Sequence, residues 1–114
     1  MCAERQAMPR KTVIQTDQAR EYRNTMDPLS QRKYVALLQL LEERGQLHAP
    51  FAEKVEGVDN LFALRIMTAG NYRYFYCYDA GELIFVLHGY SKKATRIPRR
   101  ELARALAIRK ELGL

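Results

Sequence analysis

Three short segments concentrate the groups able to act on a charged substrate: Leu64-Arg65, Tyr72-Arg73, and the run His88-Gly89-Tyr90-Ser91-Lys92-Lys93. Arg65 and Arg73 lie on either side of a turn sequence. If the flanking strands pair, two guanidinium forks converge on one concavity. Such a pair, with no obvious carboxylate partner nearby in sequence, suits a phosphate, which accepts bidentate hydrogen bonds. The alternative is that each arginine binds a carboxylate elsewhere in the fold. His88 has the ordinary pKa that suits proton transfer near neutrality, or it is a hydrogen-bonded histidine without a catalytic task. Tyr90 can stack on a base, and Lys92 and Lys93 can neutralise a phosphate. The chain contains no Ser/His/Asp spacing, no HExxH, no P-loop and no Gly-rich dinucleotide fingerprint. No metal and no cofactor are therefore expected, and covalent catalysis has no support.

The charge distribution points the same way. The net charge of +6 is not spread evenly. Residues 1–91 hold 11 Lys or Arg and 11 Asp or Glu, which cancel, whereas residues 92–114 hold eight basic residues against Glu101 and Glu111. A basic end on a neutral body suggests an anionic partner contacted by Lys92, Lys93, Arg96, Arg99 and Arg100. A solvated, arginine-rich surface helix is the plainer reading of the same composition.

Periodicity supplies the elements that must position these groups. Lys11 to Thr16 can form a first strand, and Gln18 to Thr25 shows a weak helical pattern. Asp27 and Pro28 mark a helix start, Tyr34, Leu37, Leu38 and Leu41 form its apolar stripe, and Gly45 ends it. Arg32 and Lys33 near its start and Glu42 and Glu43 near its end oppose the macrodipole preference. Packing, a partner surface or chance can each place them there. A loop over residues 46–59 is followed by three alternating segments, Leu61–Thr68, Tyr72–Asp79 and Glu82–Tyr90, joined by Ala69-Gly70-Asn71 and Ala80-Gly81 turns. They predict an antiparallel meander. A last helix runs from near Pro98 to Leu112, with Leu102, Ala105, Leu106 and Leu112 on its apolar side. Tyr72, Tyr74, Tyr76 and Tyr78 share one strand face, which reads as core under the helix over 28–44 rather than as a base-stacking platform.

At 114 residues the chain is one domain by the rough rule of 100–200 residues each, and 47% hydrophobic with 28% charged residues excludes wholesale disorder and a disulfide scaffold. Residues 1–11 read as a flexible leader and 12–114 as the domain. With neither a spanning segment nor a signal-peptide pattern, the expectation is a cytoplasmic protein with no membrane partner. Cys2 and Cys77 read as reduced thiols.

In order and spacing, the Leu-rich helix ending in Gly45, Leu61-Phe62-Ala63-Leu64-Arg65, Tyr72-Arg73 with Tyr76, Leu87-His88-Gly89-Tyr90-Ser91-Lys92-Lys93 and the Pro98-rooted helix resemble the phage-derived, HigB-like branch of the RelE/ParE toxin superfamily. The similarity covers residues 12–112. It implies a RelE-like α+β fold, with N-terminal helices packed on a small antiparallel sheet and a C-terminal helix. It also implies a type II toxin: a metal-independent endoribonuclease that cuts mRNA on the ribosome and is neutralised by a HigA-like antitoxin. By that resemblance Arg65 and Arg73 hold the scissile phosphate, and Lys92 and Lys93 add positive charge. Some relatives place a tyrosine or histidine near the last helix, where this chain has Ile97, Pro98, Arg99 and Arg100. His88 and Tyr90 are the groups assigned to that work here, so the catalytic set reads Arg65, Arg73, His88, Tyr90 and Lys93. A ParE-like gyrase-directed toxin and a non-catalytic nucleic-acid-binding or regulatory module are the competing readings. Converging arginines disfavour the first, and salt-sensitive binding without cleavage distinguishes the second.

Overall fold

Asp27 opens the longest helix, α2 (Pro28–Arg44), by accepting the Ser30 N–H at 3.1 Å and the Ser30 hydroxyl at 2.7 Å. Gly45 closes it in the left-handed region at φ 78°, donating its N–H to Leu41 O at 2.8 Å. The computed structural model describes residues 10–93 and 95–114. Around α2 stand β1 (Thr12–Gln15), α1 (Asp17–Arg23), β2 (Ala52–Lys54), β3 (Phe62–Ile66), β4 (Tyr72–Asp79), β5 (Leu83–Ser91) and α3 (Arg99–Glu111). Most of the expected leader, with Cys2, lies outside the described residues. Lys11, at its end, donates its N–H to Glu42 O.

The strands form one sheet in the order β1-β5-β4-β3-β2. The expected meander is its centre, β3 to β5. Two features depart from expectation. β1 pairs with β5 in parallel, making the sheet mixed, and the segment 46–59 contains a short antiparallel edge strand, β2, opposite β3. The first strand expected over Lys11–Thr16 is present as β1, but its partner and direction, and the existence of β2, are set by distant residues rather than by local pattern.

Helices cover both faces. Under α1 and α2 lie Tyr74 and Tyr76, fully buried, with Tyr34, Leu41, Leu64, Ile66, Ile84 and Val86, while Tyr72 and Tyr78 are half-buried at the ends of the stripe. Tyr34 stacks on Tyr74 with ring centroids 4.0 Å apart, and Tyr74 donates its hydroxyl to Ala19 O at 3.0 Å. The tyrosine stripe is thus core, as its single face suggested. On the opposite face α3 covers Leu61, Phe75, Cys77, Leu87 and Tyr90 with Ala105 and Ile108. Leu112 does not belong to that apolar side: it sits past the helix end and is 42% exposed, while Ile108 fills the position next to Ala105. Burial pushes the Cys77 thiol up to about 11, so it is a packed, unreactive thiol.

One of the reversed charges on α2, Glu42, has a tertiary cause. Glu42 accepts the Val13 N–H through its carboxylate at 2.9 Å, satisfying a backbone donor on the outer edge of β1.

Candidate functional site

Alternation puts Arg65 of β3, Arg73 of β4 and Tyr90 of β5 in one row across the sheet, on the α3 face: Arg65 is the register partner of Arg73, and Arg73 of Tyr90. The two arginines are therefore neighbours across the hairpin, although the cavity that Arg65 helps to line does not include Arg73. Arg73 is only 5% exposed, and no carboxylate lies within 4 Å of either guanidinium among the described residues. Burial, and then the adjacent Arg65 charge, lower the Arg73 pKa from its ordinary value, although the guanidinium stays charged at neutral pH. An anion placed in the row would relieve both effects. Nε of Arg65 and Nε of Arg73 are each buried without a hydrogen-bond partner.

Tyr90 stacks on Phe75 at 5.3 Å, and its hydroxyl is buried and unpartnered. Burial pushes its pKa up to about 12, against the lowering influence of Arg73, so at neutral pH it is a donor and not a base. His88 lies in the next row, opposite Phe75. A β-bulge between Phe75 and Tyr76 inserts Leu87, so that Leu87 and His88 both turn toward α3. The His88 ring is 4% exposed, and its Nε2 meets Glu101 Oε1 of α3 at 3.1 Å. Burial outweighs Glu101 and lowers its pKa, which keeps it neutral. This is the geometry of a hydrogen-bonded histidine tying α3 to β5.

The basic groups follow Tyr90 along the chain. Lys92 continues β5 and donates its N–H to Asn71 O at 2.9 Å; Lys93, Arg96, Arg99 and Arg100 are exposed. Arg100 shares its charge with Glu101, Nε to Oε2 3.9 Å. A cavity of about 410 Å³ opens beside the row between α1, the end of β5 and α3, lined by Tyr22, His88, Tyr90, Ser91, Glu101 and Arg104 among others. The two arginines do not line it; Tyr90 is shared between the two places. Among the described residues no cluster of three His, Cys, Asp or Glu side chains could hold a metal ion, and no helix is long and apolar enough to cross a membrane.

Residues 21–110, which span α2, the arginine row, the basic exit and nearly all of α3, match the family described as phage derived protein Gp49-like (DUF891). The chain belongs to this Gp49-like family. Among curated proteins, no sequence matches it. Solved structures do. A mutant of the Escherichia coli toxin RelE in the free state superposes with a TM-score of 0.67 at 14% identity, covering 86% of this chain and 96% of that one. RelE in the Pyrococcus horikoshii RelE-RelB complex gives 0.60 at 20% identity, covering 71% and 93%. The Staphylococcus aureus YoeB dimer gives 0.56 at 22%, covering 75% and 98%. At these identities the likeness is one of fold: the Gp49-like chain has the RelE-like α+β architecture.

Two residues of the site carry no obvious sequence signal. Glu101 is a lone acid in a basic stretch, and its contact with His88 needs α3 to dock. Asn71 reads as a turn residue, yet it holds Arg73 Nη1 through Oδ1 at 2.8 Å. Asn71 stands in the turn before β4, in the left-handed region, so strand alternation does not predict the contact.

Proposed function

We propose that this Gp49-like protein is the toxin of a type II toxin–antitoxin pair, of the HigB-like kind. It acts in the cytoplasm as a metal-independent endoribonuclease on ribosome-bound mRNA and is restrained by a HigA-like antitoxin. The observation that carries the proposal is the Arg65–Arg73–Tyr90 row: buried unpartnered donors and two adjacent guanidinium groups with no carboxylate within 4 Å among the described residues. The RelE relatives of the same fold are a toxin and a RelB-bound protein, which supports an antitoxin partner here.

RNA carries its own nucleophile. The 2′-oxygen attacks the adjacent phosphorus while the bond from phosphorus to the 5′-oxygen breaks, leaving a cyclic phosphate and a free 5′-hydroxyl. The enzyme has to align these atoms, stabilise the added negative charge and help move two protons. Arg65 and Arg73 hold the phosphate oxygens, since forked donors stabilise charge that grows in the transition state. Tyr90, protonated, donates to the same oxygens or to the leaving 5′-oxygen. Lys93, exposed just past the end of β5, adds positive charge to the site. Lys92, Arg96, Arg99 and Arg100 track the RNA backbone. His88, buried against Glu101, acts through that contact by fixing where α3 presents these arginines.

The test is primer extension on translating ribosomes after induction of the chain, with and without the adjacent small helix-turn-helix gene if one is encoded. Discrete new 5′ ends that vanish on coexpression support the proposal. A folded, accumulating protein that neither cuts message nor slows translation contradicts it, and salt-sensitive RNA binding without cleavage would assign a binding module instead.

A further inference from the structure

The turn between β3 and β4 is fastened to the end of β5. Ser91 donates its hydroxyl to Gly70 O at 2.7 Å, Lys92 donates its N–H to Asn71 O at 2.9 Å, and Asn71 donates its side-chain amide to Lys92 O at 2.8 Å. With its Nδ2 so occupied, the Asn71 amide has its oxygen turned the other way, where it accepts from Arg73 Nη1 at 2.8 Å. Arg73 Nη1 also donates to Tyr72 O at 3.2 Å. Asn71 itself is left-handed, at φ 51°, a conformation that asparagine tolerates better than most residues.

These contacts divide the guanidinium. Its Nη1 side is consumed by Asn71 and Tyr72, whereas Nε is buried and unpartnered and Nη2 makes no hydrogen bond among the described residues. The edge formed by Nε and Nη2 is one of the two that can grip two oxygens of a phosphate at once. We propose that Asn71 is a positioning residue: it turns Arg73 so that the Nε/Nη2 edge is the one offered to the phosphate, and it locks that orientation to the strand exit at Lys92. This rests on the ribonuclease reading above. It couples the two halves of the phosphate site, the arginine row and the lysine exit, with the Asn71 side chain as the one link that reaches the guanidinium itself.

The opposite end of β4 supplies an internal control. Asn60 is also left-handed, at φ 52°, and also uses its whole amide, donating to Tyr78 O at 2.8 Å and accepting from Tyr78 N at 3.0 Å, far from any arginine of the row. Glycine at either position keeps the backbone conformation and removes two side-chain hydrogen bonds.

The experiment compares single-turnover cleavage of a defined message on programmed ribosomes at saturating toxin. Asn71→Gly is expected to slow it about tenfold, the value of one lost orienting hydrogen bond to a charged group, with an unchanged half-saturating concentration. Asn60→Gly should keep the parental rate while lowering thermal stability to a similar degree. The N71G/R73A double variant should cut no more slowly than R73A. A parental rate for N71G beside a crippled R73A overturns the proposal, as does an equal slowing by N71G in the R73A background. If R73A itself cuts like the parent, the ribonuclease reading falls instead. Asn71 is then judged without catalysis, by nitrogen-15 NMR of the Arg73 Nε–H during titration with inorganic phosphate. A shift that saturates at severalfold lower phosphate in the parent than in N71G supports the positioning role, and superimposable titrations refute it.

Discussion

Arg65 and Arg73 are direct register partners on β3 and β4, two like charges on adjacent strands with Nε of each buried and unpaired. Like charges placed opposite one another destabilise a sheet, and a buried cation without a counter-ion adds to that cost. A fold kept for stability alone would not hold them there. Arg73→Met, which fills the space without charge, is therefore expected to leave the urea midpoint equal to the parent's or above it. A fall worth more than about 1 kcal/mol would mean that Arg73 is a structural residue.

The same pair sets the activity prediction. Arg65→Ala and Arg73→Ala should each reduce message cleavage by about a hundred- to thousandfold with the circular dichroism spectrum unchanged, as loss of one preorganised donor to a developing oxyanion does. Arg73→Lys should rescue little, because an ammonium cannot reproduce the forked contact, whereas Lys92→Arg and Lys93→Arg should be tolerated. Primer extension on translating ribosomes reads all five. Undiminished cutting by folded alanine variants would place the active site elsewhere.

His88 makes stability depend on pH. Burial lowers its pKa below the ordinary value of 6.5, so on acidification the unfolded chain takes up this proton before the folded one. The contribution is fully present above pH 6.5 and is lost as pH falls through the folded pKa. Urea denaturation from pH 8 down to about pH 5.5 should show a falling midpoint that His88→Gln flattens. An identical slope in both proteins would refute the assignment. The Asp27 carboxyl, held below its ordinary value of 3.8 by Ser30, acts only at lower pH and does not confound the window.

Glu42 is expected to matter more than a charge at the wrong end of a helix should. Removing its carboxylate leaves the Val13 N–H without its partner, so Glu42→Ala should cost about 1–2 kcal/mol in urea unfolding even though it improves the helix electrostatics. Glu42→Gln, which retains an acceptor oxygen, should recover most of the loss. No difference between Ala and the parent would show that water serves the β1 edge equally well.

Much of this was legible in the residues. Asp27-Pro28 and Gly45 bound a helix through local capping chemistry, and the strict alternation from Tyr72 to Asp79 puts four tyrosines on one face and Arg73 on the other because a strand has a period of two. The short turn between Ile66 and Tyr72 then brings Arg65 opposite Arg73. What depends on distant partners was not legible. That Thr12–Gln15 pairs with β5, and in parallel, is set by a partner far along the chain, and Ala52–Lys54 is a strand by pairing with β3. The bulge that aims His88 at Glu101, the use of Glu42 as a strand cap, and the Asn71 bridge between Arg73 and Lys92 are likewise products of tertiary contact. Periodicity and capping act within a few residues along the chain. A hydrogen bond between groups far apart in sequence leaves no trace in either, and becomes visible only when the fold brings donor and acceptor within reach.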